Sequence, residues 1–113
     1  MLAPPGQTDS PAYPASWKGA FALGNSDRFR FIMVELAFEL TDQSVAAILE
    51  GPLSPQKQSL DEMLKNVFRE KETPDLLGIE ALESLREEIV RRMNERLGKT
   101  VVRHVYFQDY WLR

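Results

Sequence analysis

Residues 29–40, FRFIMVELAFEL, carry the pattern that most restricts the fold. Arg30, Ile32, Val34, Leu36, Phe38 and Leu40 fall at every second position, and all but the first are apolar. Side chains alternate across a strand, so this spacing predicts a β-strand with one face buried along its length. The opposite face reads Phe29, Phe31, Met33, Glu35, Ala37 and Glu39. It is apolar early and charged late, and emerges into water toward its end. Such a strand needs partner strands and a covering layer on its apolar side.

The obvious partner is the C-terminal stretch VVRHVYFQDYWLR, which predicts a final strand over residues 100–112. Simple alternation puts Val101, Val105, Phe107 and Trp111 on one face with Arg103 and Asp109. Val102, His104, Tyr106, Gln108, Tyr110 and Leu112 fall on the other. Val105 and Phe107 are assigned to the core. Tyr110, Trp111 and Leu112 lie past the expected helical cover and are candidates for a partner surface. A shorter strand is expected in WKGAFAL, residues 17–23, stopped by the turn cluster Gly24-Asn25-Ser26-Asp27.

The chain between the long strand and the last one reads as helical. Thr41 or Asp42 can cap a short helix through Val45, Ile48 and Leu49, halted by Gly51-Pro52. Ser54-Pro55 reads as N-cap and first helical residue, because proline has no N–H to lose there. From that start Leu60, Met63, Leu64, Val67 and Phe68 form one helix face. Thr73-Pro74 repeats the cap-plus-proline signal. Ile79, Leu82, Leu85, Ile89, Met93 and Leu97 form a second stripe, closed by Gly98. Glu87 with Arg91, and Glu88 with Arg92, stand in the favourable i, i+4 order on its wet side. The order strand, strand, helix, helix, helix, strand gives an α+β fold. It is a small sheet of about three strands with a long terminal strand, covered by two to four helices. Residues 1–15 contain four of the chain's prolines and little to bury, so they are expected to form a flexible linker ahead of one domain at 16–113.

Composition narrows the chemistry. With a net charge of −3 and both signs mixed along the chain, there is no clustered basic surface for nucleic acid. The absence of cysteine removes disulfides and thiolate metal sites. His104 is the only histidine, and alternation puts it and Asp109 about 16 Å apart on opposite strand faces. The glycines are too scattered for a phosphate loop. No catalytic residue, cofactor, metal, small-molecule substrate or nucleic-acid partner is expected, and the protein is expected not to be an enzyme.

The order GAFALGNSDRFRFIMVELAFEL, then helices, then GIEALESLREEIVRRMNERLG, then VRHVYFQDYWLR resembles the periplasmic domain of the flagellar basal-body FliL family. Phe21 and the run from Arg30 to Leu40 match its first two strands. Thr73, Asp75 and Leu76 match a T-x-D-L element. Gly78, Leu82 or Leu85, Glu88 and Asn94 match the long helix. Val102, Val105, Tyr106 and Phe107 match the terminal strand, whereas Gln108 and Tyr110 depart from the usual Thr and Phe.

The resemblance implies an SPFH- or stomatin-like fold and a periplasmic domain of a single-pass inner-membrane protein, with the anchor outside this sequence. It implies a non-enzymatic flagellar motor-associated protein that binds or surrounds stator units of the MotA/MotB type and supports motility. It also implies ring-like homo-oligomers when the protein is anchored in the membrane. The candidate assembly surface comprises Arg86, Glu87, Arg91, Asn94 and Glu95 on the second helical stripe, with Tyr110 and Trp111 on the last strand. The alternative is a small α+β adaptor or binding module unrelated to the flagellum.

Overall fold

The computed structural model describes residues 12–24 and 28–113. Its elements are β1 (Tyr13–Ala22), β2 (Phe31–Leu40), α1 (Gln43–Glu50), α2 (Pro55–Arg69), a 3-10 turn (Thr73–Asp75), α3 (Ile79–Leu97) and β3 (Val102–Leu112). The three strands form one antiparallel sheet in the order β1-β2-β3. The expected α+β architecture is therefore present, with β2 at its centre.

Ile32, Val34, Leu36, Phe38 and Leu40 of β2 are all buried. The helices cover this side of the sheet, α1 packing on β1 and β2, α3 on β3, and α2 between α1 and α3 and against β1. Phe38 and Phe68 are the largest fully buried side chains, joined by Leu64, Leu85, Ile89 and Met93.

Helix ends follow the local rules. Asp42 caps α1 by accepting from Ser44 N at 2.9 Å, and Ser54 caps α2 by accepting from Lys57 N at 3.1 Å. Gly98 ends α3 in the left-handed region at φ 74°, where a side chain would be strained. Thr73-Pro74 opens only a 3-10 turn, whose cap is Glu72 rather than Thr73.

β1 starts at Tyr13, four residues before the expected strand, so Tyr13, Pro14 and Ala15 are not spacer. Pro14 is tolerated because β1 is an edge strand. The Ser16 N–H points away from β2 and donates to Glu50 Oε2 of α1 at 2.7 Å, so the Pro14 nitrogen two residues earlier faces the same outer side. Residues 1–11 of the expected linker lie outside the described residues. Farther along β1, Gly19 leaves room for the Trp17 indole, which a Cβ would strike. The ring's Nε1 donates to Asp61 of α2 at 2.9 Å.

β3 departs from simple alternation at two bulges. Leu40 pairs with Val102 and Glu39 with His104, leaving Arg103 extra; Leu36 pairs with Phe107 and Glu35 with Asp109, leaving Gln108 extra. Each extra residue reverses the phase of the residues after it. Val102, Val105, Phe107, Tyr110 and Leu112 therefore share the helix-covered side, across from the buried residues of β2. His104, Tyr106, Asp109 and Trp111 lie on the opposite side. Val105 and Phe107 keep their expected direction, although Phe107 is only half-buried. Tyr110 and Leu112 turn in and Trp111 turns out, the reverse of the core set expected from counting by twos.

Candidate interaction surfaces

The side of the sheet away from the helices is open. Ser16, Lys18, Ala20 and Ala22 of β1 and His104, Tyr106 and Asp109 of β3 are exposed there. Tyr106 Oη donates to Glu39 Oε1 at 3.3 Å across the strands. Partial desolvation, followed by the Glu39 charge, raises the Tyr106 phenol above its ordinary pKa. At the other end of this face Trp111 is half-buried, and the Arg113 guanidinium stacks 4.6 Å from its ring centre. The Gln108 bulge brings His104 and Asp109 to the same face, contrary to the expected opposite faces. Their partners on β2 are Glu39 and Glu35, four residues and about 13 Å apart, too far for a hydrogen bond.

The residues singled out on α3 divide into three groups. Arg86 and Glu87 border a shallow depression with His104 and Tyr106 on the β3 flank. Arg86 is ion-paired with Glu83. Arg91 and Glu95 pair with each other at 2.9 Å on the flank that faces α2, in place of the expected Glu87–Arg91 contact. Asn94 is used internally: its Oδ1 accepts from Val101 N at 2.9 Å and Val102 N at 2.8 Å. This ties the end of α3 to the start of β3.

Tyr110 is also engaged internally. Its hydroxyl donates to the Leu76 carbonyl at 2.6 Å, and its ring contacts Phe68 and Phe107. Burial pushes its phenol well above the ordinary tyrosine range. Arg86, Glu87, Arg91, Glu95 and Trp111 thus retain accessible surface, whereas Asn94 and Tyr110 hold the fold.

A charged chain fastens the C-terminal end of α2 to α3. Lys71 Nζ lies 2.7 Å from Glu88, and Arg92 lies 2.8 Å from Glu88 and 2.6 Å from Glu70. The Arg92 hydrogen bond to Glu70 lowers the glutamate pKa and raises that of the arginine. Of its two predicted i, i+4 pairs, α3 makes Glu88–Arg92. It does so as part of this bridge, with Glu88 largely covered.

Two apolar surface features escape sequence counting. Ile79 belongs to the apolar stripe by spacing, yet it is 83% exposed at the first turn of α3 beside exposed Leu77. At the far end of α3, Ile48, Pro55, Leu60 and Leu97 line an open notch. Among the described residues no group of three or more His, Asp or Glu side chains could hold a metal ion. Nor is any described helix long and apolar enough to cross a membrane.

A family model described as flagellar basal body-associated protein FliL matches residues 20–112. The chain belongs to the FliL family. Among curated proteins none matches the chain. The FliL match runs from within β1 to the end of β3 and includes every helix. Several residues that carry the FliL resemblance hold this fold together. Leu76 is fully buried and offers its carbonyl to Tyr110, while Asn94 clamps β3. In the Val105-Tyr106-Phe107 run, the outer two side chains point to the helices and Tyr106 points to the open face. A FliL-type chain is thereby placed at the flagellar basal body, compatible with partners in the motor.

Proposed function

We propose that this chain is a non-enzymatic periplasmic domain of a single-pass inner-membrane protein. In this reading it binds or surrounds stator units of the MotA/MotB type and self-assembles around them in support of motility. The single observation that carries the reading is the FliL match from within β1 to the end of β3. Two features support it. The open sheet face presents exposed Tyr106 and half-buried Trp111, aromatic side chains of the kind enriched where proteins meet. The exposed stripe of α3 carries both signs of charge, which favours one orientation of a neighbour over others. No observation favours an adaptor unrelated to the flagellum.

The test uses the full-length anchored protein in its own cells. Reversing the charge of Arg86 and Arg91 together is expected to reduce motility and stator recruitment while the purified domain keeps its helical spectrum. Unchanged motility and stator localisation in both this double mutant and a complete deletion strain would remove the motor assignment.

A further inference from the structure

The end of the sheet where β3 finishes gathers arginines and aromatic rings. Arg30 N and Phe31 N donate to the Arg113 carbonyl at 2.7 and 3.0 Å, and Arg113 N donates back to Phe31 O at 2.9 Å. These bonds set Arg30 and Phe31 beside Trp111, Leu112 and Arg113. Arg28, Arg30, Phe31 and Arg113 are exposed there, and Phe31 keeps 39% of its surface in water. Two guanidinium groups lie over rings, that of Arg28 at 5.2 Å from the centre of Phe29 and that of Arg113 at 4.6 Å from Trp111. Neither Arg30 nor Arg113 reaches an acidic side chain among the described residues. In a chain of net charge −3 this cationic end is a local departure.

The strand register shows where that character stops. On the open face the outermost cross-strand row is Ala22 and Phe31, and the next is Ala20, Met33 and Trp111. Neither row holds an acidic side chain. The third row is Lys18, Glu35 and Asp109, and the fifth sets Glu39 beside His104. The face therefore turns acidic about 13 Å from Phe31. That is farther than the roughly 8–10 Å over which salt screens exposed charges.

We infer that this end of the sheet docks on an anionic phospholipid surface. The inference goes beyond the motor reading and does not depend on it. Arginine forks pair with lipid phosphates. Phe31 and Trp111 take the headgroup level, where amphipathic and apolar rings gather at membrane surfaces. Glu35, Asp109 and Glu39 are repelled by the same surface, so the domain stands on its end rather than lying on its open face. Each arginine near an anionic leaflet raises partition about fivefold, so the contact is weak and needs Arg30 and Arg113 together.

The test titrates the chain with vesicles of phosphatidylcholine alone or mixed with phosphatidylglycerol, at low and high salt. Bound protein is measured by sedimentation. Brominated acyl chains report contact by quenching tryptophan. Trp17 is buried on the helix-covered side, five residues or about 17 Å back along the sheet, so quenching reports Trp111. Binding is expected on the phosphatidylglycerol vesicles only, with quenching, and salt should abolish it. Arg30→Gln with Arg113→Gln should weaken it about twentyfold, and Phe31→Ser should weaken it severalfold. Lys57→Gln with Arg96→Gln removes the same charge beside the Leu97 notch and should change binding less than about twofold. Circular dichroism checks that each variant is folded. Absence of binding at millimolar lipid, equal binding to both vesicles, binding without quenching, or an equal loss from the Lys57 and Arg96 pair would each overturn the lipid contact. The vesicles hold no motor protein, so none of these results touches the motor assignment.

Discussion

The Tyr110 hydroxyl donates to the Leu76 carbonyl at 2.6 Å, joining the last strand to the turn that precedes α3. Leu76 is fully buried, so its carbonyl has little access to water as a replacement partner. Tyr110→Phe should destabilise the domain by about 1–2 kcal/mol in chemical denaturation. The raised phenol also has a pH consequence. An unfolded tyrosine ionises near pH 10, while the folded one stays protonated to higher pH. The unfolded chain then binds fewer protons, so stability should be unaffected by this group below about pH 10 and fall above it. Phenolate absorbance should show one tyrosine appearing only with unfolding.

Asn94 gives a second measurable case. Asn94→Ala removes the acceptor for two backbone N–H groups, those of Val101 and Val102. The expected loss is about 1–3 kcal/mol. Native-state hydrogen exchange should locate it, with these two amides exchanging faster while the middle of α3 stays protected.

The Gln108 bulge can be tested by comparing Phe107→Ala with Trp111→Ala. Phe107 faces the helices and meets Tyr110 edge-on at 5.4 Å. Its truncation should cost about 2–4 kcal/mol, reduced from a fully buried phenylalanine by its partial exposure. Trp111 lies on the open face and should cost about 1 kcal/mol or less. Equal losses at both sites would contradict the register.

Asp42 links the start of α1 to Lys99, whose Nζ lies 2.6 Å from its carboxylate. The hydrogen bond from Lys99, followed by those from Ser44, holds the Asp42 pKa far below the usual carboxylate range. A depressed folded pKa means the unfolded chain takes up this proton first as pH falls. Its stabilisation should be complete above about pH 4, then fade as acid titrates the folded group. NMR titration of the Asp42 carboxyl carbon should show no transition near pH 4 in the folded domain, and Lys99→Met should move the transition up.

Much of the architecture was legible because it depends on local rules. The β2 alternation named Ile32 to Leu40 as core, and Ser54-Pro55, Asp42 and Gly98 marked helix ends through their own backbone chemistry. β3 was read less well because counting by twos assumes one residue per ladder position. Nothing in VRHV or FQDY announces the extra residue that sends Tyr110 inward. Pro14 read as linker because its edge position depends on strand order, a non-local property. The candidate site was partly legible: charged residues on an exposed helix stripe were found, but Asn94 looks the same in sequence whether it faces water or a neighbouring strand. Ile79 fitted the apolar spacing of α3, yet the helix starts beyond the cover that would bury it.

β1 and β3 both run against β2, so the chain enters the sheet at Tyr13 opposite Leu40 and leaves it at Leu112 opposite Ile32. These points lie at opposite ends of the central strand, about 27 Å apart along it. Tension between them would run parallel to the strands and across the ladder bonds. The bonds of each strand pair would then be strained together rather than opened one after another, as in a hairpin pulled from its open end. Such a sheet resists stretching along that axis far better than peeling from an edge.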